Sequence, residues 1–139
     1  MDAAACRDVV HRYYEELWNQ WRLELVDEML AEDVHFRGSL GTTVEGREGF
    51  RGYLLGMRRG LPDLHHEIEM IVAEEDAAAA RLLYRGTHEG PLMGVPGDGH
   101  RLNYQGASFF RMQDGLIVEL WTLGDMSGLR RQLLSSHNE

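Results

Sequence analysis

Arg101-Leu-Asn-Tyr-Gln-Gly-Ala-Ser-Phe-Phe-Arg-Met-Gln-Asp-Gly-Leu-Ile-Val-Glu-Leu-Trp-Thr-Leu-Gly124 reads as two strands folded back on an Asp114-Gly115 turn. Asp-Gly favours the positive backbone angles that a two-residue hairpin needs. Upstream, from Leu64, the period is already two: Leu64, His66 and Ile68 share one face, and His65, Glu67 and Glu69 the other. Glu75-Asp76 reads as a further turn into a strand from Ala77 to His88. A loop with Gly90, Pro91, Gly94, Pro96, Gly97 and Gly99 separates that strand from the hairpin. The second half of the chain is therefore an antiparallel meander.

The first half has helical spacing. Val10, Tyr13, Tyr14, Leu17 and Trp18 form one apolar stripe, with Arg7, Asp8, His11, Arg12, Glu15 and Glu16 on other faces. A shorter helix carries Leu23, Val26, Met29 and Leu30, and Val34 to Arg37 reads as a short strand. A third helix starts near Arg47, buries Phe50, Tyr53, Leu54, Met57 and Leu61, and stops at Gly60 and Pro62. A short helix through Leu129, Leu133 and Leu134 closes the chain. Helices followed by an antiparallel meander indicate an α+β fold, with helices on one face of a curved sheet. No repeat or linker interrupts the pattern, so 1–139 is expected to be a single domain with one core.

Composition narrows the function. Twenty-three acidic residues oppose 14 basic ones for a formal net charge of −9, which argues against nucleic acid or an anionic membrane as partner. All 14 basic residues are arginine; without lysine, Schiff-base chemistry and a phosphate-loop lysine are excluded. Cys6 has no second cysteine to pair with, and Met1 to Asp8 lack the features of a leader, so a cytoplasmic location is expected. None of the seven histidines is spaced as a chelate: His65 and His66 point to opposite sides of a strand, and no metal is expected.

Glu45-Gly-Arg-Glu-Gly-Phe50, Leu61-Pro-Asp-Leu64, Arg85-Gly-Thr-His88, Gly94-Val-Pro96, Phe110-Arg111, Asp114-Gly115 and Ile117-Val-Glu-Leu-Trp121 through Asp125, in this order, resemble the SnoaL-like polyketide cyclases. The resemblance implies the nuclear-transport-factor-2-like fold, a cone-shaped α+β barrel with helices over a deep apolar cavity. It implies intramolecular aldol condensation of a polyketide-like carbonyl substrate without metal or cofactor, with Asp125 as the acid/base. Some relatives of the family take part in hydroxylation. The chain departs from the family pattern at Asn19-Gln-Trp-Arg22, where Asn-x-Gly-Asp is expected, and at Gly106 and Ser108, where polar groups such as His and Asp are frequent. It also places Gly49, Gly52, Gly56 and Gly60 on the third helix, which should be soft or closely packed.

Asp125 follows the apolar strand Leu116–Gly124, and a carboxylate desolvated there would have the raised pKa that proton abstraction beside a carbonyl needs. The alternative is an N-cap on the helix from Met126. Tyr104 and Ser108 share a strand face and are candidate donors to an enolate if that face looks inward; otherwise they are core residues. His88, in parity with Leu82 and Tyr84, either helps proton transfer at the mouth of the cup or ties down the glycine-rich loop. Tyr14, Trp18, Phe50, Tyr53, Leu54, Met57, Met93, Tyr104 and Trp121 are the expected pocket wall, suited to a flat apolar ligand bearing a carbonyl, though they would also make a plain core. His66, on one face with Leu64 and Ile68, reads first as a satisfied core histidine and second as part of that wall; His35 is similar, with its face left open. Arg81, Leu83, Arg85, Phe109 and Arg111 lie on the opposite sheet face and suit a homodimer interface. Two other functions fit the same cup: a non-catalytic binding protein, and an epoxide hydrolase or hydroxylase, which would need more cavity carboxylates.

Overall fold

The computed structural model describes residues 1–136. Helix α1 (Ala3–Arg12) is capped by Asp2, whose carboxylate accepts from Ala5 N at 2.8 Å. It runs into a π-helical segment, Tyr13–Trp18. The wider turn, marked by the i to i+5 bond from Asn19 N to Tyr14 O at 2.9 Å, brings Tyr13, Tyr14, Leu17 and Trp18 together onto the core. Helix α2 (Leu25–Met29) follows, then strand β1 (Leu30–Arg37), strand β2 (Thr43–Glu45) and helix α3 (Gly46–Gly60). The meander comprises β3 (His65–Glu74), β4 (Ala77–Thr87), β5 (Arg101–Gln113) and β6 (Leu116–Gly124), and α4 (Met126–Ser136) closes the described chain.

The six strands form one curved, open sheet in the order β2-β1-β6-β5-β4-β3. The meander is antiparallel as expected, and Asp114 and Gly115 both have positive φ in the β5–β6 turn. The pair β1–β6 is parallel. That pairing extends β1 back to Leu30, four residues before the strand expected from sequence, since Leu30 aligns with Ile117 across the ladder. Register shifts place an extra residue in β3 between Ile68 and Met70 and in β6 between Ile117 and Glu119, and such bulges bend a strand and increase its twist. Helix α1 packs on β3 and β4, α3 on β1 and β2, and α4 on β5. The fold is thus the α+β architecture read from sequence. Among the described residues, no helix is long and apolar enough to cross a membrane.

Candidate functional site

One face of the meander is buried under the helices. Ala80, Leu82 and Tyr84 of β4, Tyr104, Ser108 and Phe110 of β5, and Leu120 and Thr122 of β6 all point there. Their register is direct: Tyr84 lies opposite Tyr104, and Ser108 sits between Ala80 and Thr122. Most of this face is hydrocarbon, so each polar group on it must find a partner or carry a cost. Tyr14 donates its hydroxyl to Ser108 Oγ at 2.6 Å, and Ser108 and Thr122 are joined at 2.9 Å. The hydroxyls of Ser39 and Tyr104 meet at 2.8 Å.

Among the described residues four buried side-chain atoms lack a hydrogen bond: one is His88 Nδ1, 4.0 Å from Asp98 Oδ1, and the other three are Trp18 Nε1, His66 Nδ1 and the Tyr84 hydroxyl. Ser108 lies close to Tyr84 but outside hydrogen-bonding geometry. Trp18 Nε1 approaches Tyr13 outside hydrogen-bonding geometry. All three residues line one internal void of about 20 Å³, with Tyr14, Ser39, Tyr53, Met57, Leu64 and Thr122 among the other walls. His66 is the hub: its ring centroid lies 4.8 Å from that of Trp18, 5.1 Å from Tyr14 and 5.2 Å from Tyr84. Burial, with a smaller contribution from neighbouring His65, pushes its pKa down to about 3, so the ring is neutral across the physiological range. Its position is fixed from outside the sheet. The Asn19 amide donates to His66 O at 2.9 Å and accepts from His66 N at 2.8 Å, pairing with the strand as another backbone would.

Burial raises the pKa of Tyr14 and Tyr84 well above the ordinary phenol range, and takes Tyr104 beyond it too. These rings therefore stay protonated and can donate. Among the described residues, no carboxylate and no guanidinium lines the void. The arrangement is an uncharged pocket whose two free donors and one imidazole can hold a carbonyl or enolate oxygen.

The expected site residues divide accordingly. Tyr14, Trp18, Met57 and His66 line the void, with Tyr104 and Ser108 bonded to its walls. Phe50 and Leu54 are fully buried in the core beside it. Asp125 is exposed, not desolvated. Its Oδ1 accepts from Gly128 N at 2.9 Å, and its backbone carbonyl takes Leu129 N, as an N-cap of α4 does. It faces a groove with Leu83, Asn103, Gln105, Arg131 and Gln132 on the outer side of the sheet. The expected inward orientation of Trp121 is likewise reversed: it is 41% exposed, under the Arg37 guanidinium and beside Phe109. Both sides of β6 are apolar, so alternation alone gave no direction; Leu120 and Thr122 took the inside.

His35 is exposed and pairs with Glu45 at 3.0 Å, away from the cavity. Met93 is half-buried in the glycine-rich loop at φ 52 and lines no part of the void. His88 is wholly buried, and Nε2 meets Val95 O at 3.1 Å. Its backbone bonds His100, Asp98 and Gly99, so it ties the loop down and does not line the cavity. Sequence reasoning missed Ser39, Tyr84, Thr122 and Asn19 as site residues. Tyr84 was accessible from its parity with Leu82; Thr122 was accessible only once β6 was turned over.

Comparison with known proteins identifies the family and the fold. The model of the SnoaL-like polyketide cyclases matches residues 8–133. Among solved structures, IdmH of Streptomyces antibioticus, proposed to be a polyketide cyclase, is 32% identical over 91% of this chain and 96% of its own, with a TM-score of 0.78. AclR of Streptomyces galilaeus, proposed to be a hydroxylase, is 28% identical over 96% and 98%, with a TM-score of 0.82. TsrD of Streptomyces laurentii is 26% identical over 96% and 97%, with a TM-score of 0.84. No protein of curated function matches. With the family match spanning nearly the whole chain and the cone fold shared by its structural neighbours, the chain belongs to the SnoaL-like polyketide cyclase family.

Proposed function

We propose that the protein binds an apolar, carbonyl-bearing small molecule in the inner cavity and moves protons on it, in an enolisation that leads to aldol closure or isomerisation. The observation that carries this reading is the convergence of three unpartnered buried polar atoms, Trp18 Nε1, His66 Nδ1 and the Tyr84 hydroxyl, on one uncharged void. A ligand carbonyl accepting from Trp18 and Tyr84 satisfies both donors, and satisfies them better as charge develops on that oxygen. With its proton on Nε2, His66 presents a lone pair at Nδ1. It takes the proton from the carbon beside the carbonyl, leaving an enolate and an imidazolium. Enolate charge at close range favours that imidazolium, which burial alone disfavours. The proton then returns to carbon, or passes to the alkoxide formed when the enolate carbon attacks a second carbonyl.

Asp125, the base that the family resemblance implies, would have to leave its helix cap and cross the end of β6 to act on the same ligand. A second reading, binding without turnover, is favoured by the lack of any carboxylate among the described walls. Hydrolysis of an epoxide or hydroxylation is less well supported for the same reason. Methyl 6-acetyl-2-naphthoate in deuterated buffer separates them: enolisation exchanges the acetyl protons, read by proton NMR. Exchange accelerated by the wild type and lost in His66→Phe supports the catalytic reading. Binding with no exchange supports the second.

We also propose that a second copy of the chain covers the outer sheet face. Met70, Val72, Phe109, Trp121 and Leu123 are each 41–53% exposed there, between Arg81, Arg85 and Arg111, the mixture of aromatic and arginine residues that suits an interface. A dimer by sedimentation velocity that weakens in Phe109→Glu is the expected outcome; a monomer in the wild type removes the proposal.

A further inference from the structure

A second hollow, of about 150 Å³, opens outside the inner void. Trp18 and Leu64 line both, so they form the partition between them. Asn19, Gln20, Trp21 and Arg58 make up much of the outer chamber. Neither space alone reaches the roughly 300 Å³ of an ordinary small-molecule site. A ligand of several rings must span the two across the partition that Trp18 and Leu64 form.

The outer chamber is built around an unusual pair. Trp21 has φ 58, a left-handed conformation that a bulky side chain rarely adopts and that persists only where surrounding structure imposes it. It is held by Trp21 N to Trp18 O at 3.3 Å and by Leu23 N to Trp21 O at 3.1 Å. In that conformation its indole lies under the Arg58 guanidinium, 4.0 Å from the ring centroid to Cζ. Stacking occupies a face of the guanidinium and leaves its N–H edge available for a planar anion. In a chain with 23 acidic residues, Arg58 has no carboxylate partner among the described residues, whereas Arg22 and Arg51 each hold two. No acidic residue lines the chamber. The C-terminal turn of α3 attracts a positive charge by itself, but that attraction does not account for the backbone of Trp21.

We propose that this chamber is an anion subsite, in which Arg58, braced on Trp21, receives a carboxylate carried by the ligand while the carbonyl end lies inside Trp18. The inference rests on the inner cavity being the ligand site. It assigns the substrate to carbonyl compounds with a carboxylate at the opposite end. The protein's net charge of −9 repels such an anion at long range, so a local guanidinium is what makes its capture selective.

The test compares 6-acetyl-2-naphthoate with its methyl ester by isothermal titration calorimetry. The acid should bind wild-type protein about tenfold tighter than the ester, as one charge-assisted hydrogen-bonded pair provides. In Arg58→Gln the acid-to-ester ratio should drop to near one, and Arg58→Lys should retain part of it. An acid no tighter than the ester in the wild type, or a preference that survives in Arg58→Gln, overturns the subsite and leaves the inner cavity standing. Failure of both compounds to bind the wild type overturns the inner cavity and the subsite with it.

Discussion

His66 is buried to 5% exposure with an unpartnered ring nitrogen, and that combination makes stability depend on pH in a defined direction. Its pKa falls from the ordinary 6.5 to about 3 on folding, through desolvation. As pH drops below 6.5 the unfolded chain takes up a proton at this residue and the folded chain does not. Stability therefore declines by about 1 kcal/mol per pH unit between 6.5 and 3, and is fully present above 6.5. Urea unfolding should show His66→Phe losing about 2 kcal/mol less than wild type between pH 7 and pH 4.5. Asp125 obeys a different logic. As a cap, Asp125→Ala should cost about 1 kcal/mol and Asp125→Ser very little, measured by the same unfolding at pH 7. If Asp125→Ser folds and also keeps acetyl-proton exchange, the carboxylate serves the helix and not the chemistry. The inward position of His66 was legible in its parity with Leu64 and Ile68. The exposure of Asp125 was not, because an apolar strand before a carboxylate does not say which side of the sheet the carboxylate reaches.

At the level of elements, α3 carries five glycines, and the structure sorts four of them, Gly49, Gly52, Gly56 and Gly60. A Cβ at Gly52 or Gly56 meets nothing within 4 Å, whereas one at Gly60 would lie 2.8 Å from Pro91 O. Gly52→Ala and Gly56→Ala should each stabilise by about 0.5–1 kcal/mol, and Gly60→Ala should destabilise, read from urea midpoints at constant m-value. Close packing of the helix is thus found at Gly60. Helix spacing placed α1 and α3 well, since a 3.6-residue stripe is unambiguous over ten residues or more. It did not reveal the π-helical turn at Tyr13–Trp18, because Tyr13, Tyr14, Leu17 and Trp18 also fit an ordinary stripe. The parallel partner of β1 was equally hidden: Leu30-Ala-Glu-Asp33 has little strand character, and pairing with β6 supplies it. The Asn19-Gln-Trp-Arg22 departure proved informative, since Trp21 adopts the positive φ that glycine would take more easily.

For the whole molecule, the sheet separates two chemistries. Its inner face is buried, aromatic and uncharged, with Tyr14, Trp18, Tyr84 and His66 around one void. Its outer face is open and carries arginines among large apolar side chains. Fold class could be read from the order of helices and strands; the site could be read only in part, through Tyr14, Trp18, Met57 and His66, because the side to which β6 turns its residues is decided by how the sheet curves over the helices. The central claim is that the ligand carbonyl lies among Trp18, His66 and Tyr84. Its most direct test is a nitrogen-15 NMR titration of the intact protein with methyl 6-acetyl-2-naphthoate, following the Trp18 indole N–H and the His66 ring nitrogens. The account predicts that both shift on binding, while Trp121 and the amides around Asp125 do not. A bound ligand that perturbs Asp125, Gly128 and Gln132 while leaving Trp18 and His66 unmoved would contradict it.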